Sequence, residues 1–266
     1  MKKVLITGGA GYLGSTLTEL LLDNKYNVTV LDNLLYKQTS LLHLCSNPNF
    51  EFIKGDVTDH PLLKSLIPQY DIIIPLAAIV GAPACNENKE LATNVNFTQI
   101  QIIVDNLNKN QKLIMPNTNS QYGSSEEIIT EESPFNPLSH YAKTKCDAEE
   151  YILSWENGIC LRLATVFGAS TRMRTDLLVN DFALTFLFCI ENYDKMNNNV
   201  FNVGLSDANL SKMELAKKIK KYFPDLVIVE NEFTSDFDNR NYIVSNDKLE
   251  SFGWSPKYTI DDGIKE

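Results

Sequence analysis

Over the first 165 positions, short apolar runs alternate with longer stretches of helical spacing. The runs at 4–6, 28–31, 50–53, 72–76, 112–115 and 159–163 are too short for helices and read as buried strands. Between them, apolar residues recur every three or four positions near 14–23, 59–67, 90–108 and 140–154, which predicts amphipathic helices. Strands alternating with helices predict an α/β fold, a doubly wound parallel sheet covered on both faces. After 165 the pattern loosens. Ser211 and Glu214 have the spacing of a capping box, which opens a helix through about Tyr222. Apolar residues at 226–229 read as a strand, followed by an acidic loop, a short run at 241–244 and another short helix. Residues 1–165 are therefore one domain, and 166–266 a smaller C-terminal lobe closing over a substrate.

The turn after the first strand carries chemistry. Gly8, Gly11 and Gly14 are spaced by two residues each within Thr7-Gly-Gly-Ala-Gly-Tyr-Leu-Gly14. Gly8 permits a tight turn, Gly11 lets the backbone touch a pyrophosphate, and Gly14 lets the helix lie close to the strand. The helix N-terminus that follows directs N–H groups and a favourable dipole at an anion. Asp32 stands at the tip of the second strand, eighteen residues after Gly14. A carboxylate there accepts the adenosine ribose hydroxyls and repels a 2′-phosphate, so the cofactor read is NAD rather than NADP. Residues 1–165 thus read as an NAD-binding Rossmann domain.

Composition removes other classes. The 266-residue chain has a formal charge of −10, which argues against a nucleic-acid partner. No apolar stretch is long enough to span a bilayer, and the start at Met1-Lys2-Lys3 shows no signal peptide. The five cysteines contain no Cys-x-x-Cys pair, as expected of a cytoplasmic protein with free thiols. Three histidines at 43, 60 and 140 lack ligand spacing, so no metal is expected.

Tyr141 and Lys145 lie four residues apart on one predicted helix face. An ammonium beside a phenol favours the phenolate, which can accept a proton from a substrate hydroxyl while hydride passes to NAD. Thr118, just past the strand at 112–115, is the candidate to hold that hydroxyl.

With these motifs the chain resembles the extended short-chain dehydrogenases/reductases, in the group of NAD-dependent nucleotide-sugar epimerases and dehydratases. The resemblance rests on Thr7–Gly14 with Tyr12 and Leu13, Asp32-Asn33, Gly55-Asp56-Val57, Leu76-Ala77-Ala78, Asn94-Val95-Asn96, Thr118 before Tyr122-Gly123, Tyr141-x-x-x-Lys145 and Gly253-Trp254-x-Pro256. It implies that Asp56 and Val57 contact adenine and that Leu76, Ala77 and Ala78 pass beneath the riboses. Lys145 would also bond the nicotinamide ribose. Asn180 and Arg240 would touch the diphosphate of a nucleotide sugar. It also implies a homodimer, in which helices 90–108 and 140–154 pair across a two-fold axis into a four-helix bundle.

Departures narrow the reaction. Sugar 4,6-dehydratases place Asp-Glu after the catalytic threonine, whereas here the substrate-side positions are Asn119 and Ser120. That disfavours dehydration. Thr165 replaces the asparagine of many 4-epimerases. The stretches 75–83, 116–123, 161–168 and 172–180 are similar to a narrower branch that includes GDP-heptose 4-dehydrogenases. Relatives also carry a few dozen residues between the positions of Phe182 and Ala183. We therefore expect residues to be missing at that junction and the two Cα atoms to lie far apart. The alternatives are a catalytically silent NAD-sensing regulator, which would be expected to lose Tyr141 or Lys145, and a reductase of a small carbonyl compound, against which Asn180 and the second lobe argue.

Overall fold

The computed structural model describes residues 1–166, 178–206, 209–229 and 243–265. The chain enters through β1 (Lys3–Thr7), α1 (Tyr12–Asp23), β2 (Asn27–Asp32), β3 (Phe50–Lys54), α2 (His60–Leu66) and β4 (Ile72–Pro75). It continues through α3 (Ala82–Glu87), α4 (Lys89–Thr93), α5 (Gln99–Asn106), β5 (Lys112–Thr118), β6 (Ile128–Ile129), α6 (His140–Ser154) and β7 (Gly158–Leu163). The remainder comprises α7 (Leu178–Glu191), α8 (Tyr193–Met196), β8 (Asn199–Val203), α9 (Lys212–Tyr222), β9 (Ile243–Val244), α10 (Asp247–Ser251) and α11 (Ile260–Lys265). Seven strands form one parallel sheet in the order β3-β2-β1-β4-β5-β7-β8, and β6 and β9 form a separate parallel pair. This is the expected doubly wound fold. Strand order reverses between β1 and β4, so their carboxyl ends flank the crevice where ligands bind.

Strand side chains point alternately to opposite faces, and the sheet buries both. Val4, Ile6, Val30, Ile72 and Ile74 point to one core, closed by Leu17 and Leu21 of α1 and Phe182 and Phe186 of α7. Leu5, Leu31, Ile73, Leu113 and Met115 point to the other, under Leu63 of α2, Ile103 of α5 and Ile152 of α6. The continuous apolar runs of β1 and β4 follow from this arrangement.

Four features differ from the sequence reading. First, the helix expected at 90–108 is interrupted by a wide turn at Asn94–Thr98. There Asn96 turns inward and bonds both N and O of Ile79, at 2.9 and 3.0 Å. Second, residues 226–229 form no strand among the described residues, and Val227 and Val229 are exposed. Third, the main sheet does not stop at 165: β8 pairs in parallel with β7, and α7 packs on α1. Fourth, the break expected at the 182–183 junction is absent. Phe182 and Ala183 are consecutive residues of α7, and the ring of Phe182 packs on Phe186 one turn on, with centroids 4.7 Å apart. The i, i+4 apolar pattern continues through the junction, so the helix does too. The capping box is as expected: Ser211 Oγ accepts from the Glu214 N–H, and Glu214 accepts from the Ser211 N–H.

Candidate active site

A cavity of about 810 Å³ opens along the carboxyl ends of β1, β2, β4, β5 and β7. Its floor is backbone. Gly8 has φ +71°, and a Cβ there would lie 2.6 Å from the Ala77 N. A Cβ on Gly14 would lie 2.5 Å from the Gly9 Cα. Any side chain at either position would push the glycine turn off the sheet. The helix α1 begins at Gly11 with no side-chain cap and no acid in its first turn. Tyr12, Leu13 and Gly14 of that turn line the cavity, so the helix presents an uncapped N-terminus to an anion. These are the features a dinucleotide pyrophosphate needs.

Asp32 is 7 % exposed and faces the same cavity. Its carboxylate accepts from the Ala10 N–H at 3.0 Å and the Leu34 N–H at 2.8 Å, so it also fastens the glycine turn to β2. Gln38, which the sequence reading passed over, donates to Asp32 Oδ1 at 3.3 Å and lines the cavity beside it. Asn33 donates to Asp56 Oδ2 at 2.8 Å. Burial alone would raise the Asp56 carboxyl, but the bonds from Asn33 and Thr58 outweigh it and hold the group below its ordinary value. Asn33, Asp56, Val57, Leu76, Ala77 and Ala78 all line the cavity.

At the other end stand Thr118, Tyr141 and Lys145. The helix α6 starts at Ser139, whose hydroxyl accepts from the Ala142 N–H at 3.2 Å. This cap places Tyr141 and Lys145 on the first turns, facing β5. Tyr141 is 8 % and Lys145 5 % exposed. The Lys145 ammonium donates to the Pro116 carbonyl at 3.0 Å. Burial pushes its pKa down to about 8, against a smaller opposing effect of the Cys160 and Cys85 thiols. Thr118 ends β5. Its hydroxyl donates to Ser120 Oγ at 2.9 Å and accepts from the Ser120 N–H at 3.1 Å. Ser120 and Thr165 line the cavity on this side.

Of the three expected substrate residues, the two that are described, Asn119 and Asn180, are not among those lining the cavity. Asn119 is buried behind Thr118, 2 % exposed, and does not line the cavity. β5 ends at Thr118, and Asn119 opens the buried 3-10 turn Asn119–Tyr122 that follows it. Asn180 is half-buried on the first turn of α7 and is not among the lining residues. Arg240 lies outside the described residues. No group of three metal-ligating side chains occurs among the described residues.

The arrangement can move a proton and a hydride. The glycine turn, Asp32 and the 76–78 run would hold NAD, which supplies the hydride acceptor or donor when bound. In such chemistry a phenol such as Tyr141 could accept or return a proton, an ammonium such as Lys145 would favour the phenolate, and a hydroxyl such as that of Thr118 could hold the reacting group.

Comparison with known proteins agrees with this geometry. Residues 4–183 match the model of the NAD dependent epimerase/dehydratase family. The low-salt glycan biosynthesis protein Agl12 of Haloferax volcanii is 25 % identical, over 98 % of this chain and 96 % of that protein. The alignment runs over 306 positions against the 266 residues here, so that relative carries residues this chain lacks. A CDP-paratose 2-epimerase of Salmonella typhi is 26 % identical over 99 % of this chain and 97 % of its own. Among solved structures, UDP-glucuronic acid 4-epimerase of Bacillus cereus, in complex with UDP-glucuronic acid and NAD, superposes with a TM-score of 0.85 at 22 % identity. That match covers 99 % of this chain and 96 % of that one and shows a shared fold. The chain is thus a member of the NAD-dependent epimerase/dehydratase family and an NAD-dependent enzyme.

Proposed function

We propose that the chain oxidises a nucleotide-activated sugar at C4, the product leaving as the 4-epimer or the 4-ketone. The observation that carries this reading is the convergence of Thr118, Tyr141 and Lys145 at one end of a cavity whose other end is the glycine turn. A hydroxyl held by Thr118 sits where Tyr141 can take its proton. Asn119 and Ser120 supply no acid–base pair after Thr118, which disfavours water loss. Thr165, in place of the asparagine of many 4-epimerases, lines the cavity, so the substitution falls within the reaction chamber. Together with the narrower sequence resemblance, this favours a 4-dehydrogenase acting on a GDP-heptose. The protein is read as cytoplasmic and homodimeric, with the α4–α5 and α6 segments pairing across a four-helix bundle. No helix among the described residues is long and apolar enough to cross a membrane.

The test is incubation with NAD and GDP-, UDP-, CDP- and dTDP-sugars, followed by product mass and carbon-resolved NMR. Loss of two hydrogens at C4, abolished by Tyr141→Phe, is the expected result with a GDP-heptose. Unchanged mass with inversion at C4 makes it an epimerase. Inversion at C2, the position in the name of the Salmonella relative, or no product with any sugar overturns the reading.

A further inference from the structure

Asn117 stands between the two halves of the catalytic group and touches both. It is the penultimate residue of β5 and 3 % exposed. Its amide Nδ2 donates to the Lys145 carbonyl at 3.2 Å and to Glu149 Oε2 at 2.7 Å. Its Oδ1 accepts from the Thr118 N–H at 3.0 Å. Both Nδ2 hydrogens and the Oδ1 acceptor are therefore committed in one orientation. Pro116 before it takes the Lys145 ammonium, and Thr118 after it offers its hydroxyl to the cavity.

Glu149 holds the amide in place. It is fully buried, one turn beyond Lys145 on α6, and its carboxylate accepts from Arg162 Nε at 3.1 and 3.2 Å and from Arg162 Nη2. Arg162 and Asn117 are register partners on β7 and β5, so both side chains rise from the same face of the sheet toward α6. Arg162 is itself fixed by the Tyr122 hydroxyl at 2.6 Å and the Glu131 carbonyl at 3.0 Å. Tyr122 in turn donates to Asn202 Oδ1, and Asn202 is the register partner of Arg162 on β8. A row of Asn117, Arg162 and Asn202 thus crosses three strands beneath α6.

We propose that Asn117 is a positioning residue that sets the separation of Thr118 from Lys145 and Tyr141, with the Glu149–Arg162 pair as its anchor. This rests on the reading of Thr118, Tyr141 and Lys145 given above. Asn117 lines the cavity, but its polar atoms are all spent on Lys145, Glu149 and Thr118, so it acts through them. Misplacing a reacting group by an ångström costs on the order of 10²-fold in rate.

The experiment is a double-mutant cycle of Asn117→Ala with Thr118→Ala, read in kcat and KM, with NAD affinity and thermal melting as controls of the fold. With Thr118 present, Asn117→Ala is expected to lower kcat about 10²-fold and to change KM by no more than roughly threefold. On the Thr118→Ala background the same change is expected to cost at most about twofold, because the group it positions is gone. An equal loss on both backgrounds, or a loss that tracks melting alone, overturns the proposal. Should the alanine variant fail to fold, Asn117→Ser is read in the same way. It keeps one hydroxyl for Glu149 but cannot also reach both Thr118 and Lys145. If the wild type turns over no sugar, the functional reading fails. Positioning is then decided by the pH midpoint of the Tyr141 phenolate absorbance, assigned by its loss in Tyr141→Phe. A higher midpoint in the Asn117 variant supports positioning of Lys145, and an unchanged one refutes it.

Discussion

Lys145 is a charge buried at a cost in stability, and the size of that cost can be measured. Replacing it with methionine keeps the shape and removes the charge. An exposed lysine titrates near 10.4, and burial brings this one to about 8. At 1.36 kcal/mol per pH unit, the protonated form costs the folded state about 3 kcal/mol. Methionine avoids that cost but forfeits the bond to the Pro116 carbonyl, worth about 1 kcal/mol for a neutral amine. Lys145→Met is therefore expected to be more stable than the wild type by about 2 kcal/mol at pH 7, while losing all turnover. The sign follows from linkage. Between about pH 8 and 10.4 the unfolded wild type binds a proton that the folded one does not, so wild-type stability rises through that window. The variant has no such group, and its advantage should vanish or reverse by pH 10. Urea midpoints at pH 7 and pH 10, taken without NAD so that ligand binding does not shift them, test this directly. A variant less stable than wild type at pH 7, or a difference that does not change with pH, refutes the reasoning.

Gly14→Ala should abolish NAD binding, measured by calorimetry, because its Cβ would meet three backbone atoms within 2.9 Å. Asp32→Ala should weaken NAD at least tenfold and destabilise the free protein by about 1–3 kcal/mol, since it orphans the Ala10 and Leu34 N–H groups. Asp32→Asn, which keeps an acceptor, should recover most of the stability but not the affinity. Arg162→Met alone should cost about 3–5 kcal/mol in chemical denaturation by leaving Glu149 buried and unpaired, whereas Arg162→Met with Glu149→Leu should cost much less.

The fold and the cofactor end of the site were legible because their signals are local. A buried strand, a glycine turn and an amphipathic helix each declare themselves within a dozen residues. The strand β8 was missed because Asn199 and Asn202 interrupt its apolar pattern. Asn202 is nonetheless fully buried, paid for by Tyr122 and the Ser245 carbonyl, and such partners cannot be read along the chain. The opposite error occurred at 226–229, where apolar residues resemble a strand yet have no neighbouring strand to pair with. The break near Asn96 follows from polar side chains turned inward to Ile79, against the amphipathic pattern of the surrounding helix. At the site, Gln38 reaches the cavity from a segment whose sequence carries no motif, and Asn119 was included by adjacency to Thr118 when it opens a buried turn instead. The role of Asn117 depends on a cross-strand register with Arg162, which no spacing in the sequence encodes.

The small parallel pair of β6 and β9 joins Ile128 to Ile243, over a hundred residues further along the chain. Closing a loop of that length delays the pairing relative to the local contacts that build the glycine turn and α1. Yet this pair buries Tyr122 between Ile129 and Val244, and Tyr122 belongs to the turn that follows Thr118. Refolding should therefore produce a species that already grips the adenosine half of the cofactor before the catalytic turn is seated. Recovery of cofactor binding should then outrun recovery of turnover, and the final rate-limiting event in gaining activity would be the return of a distant stretch of chain.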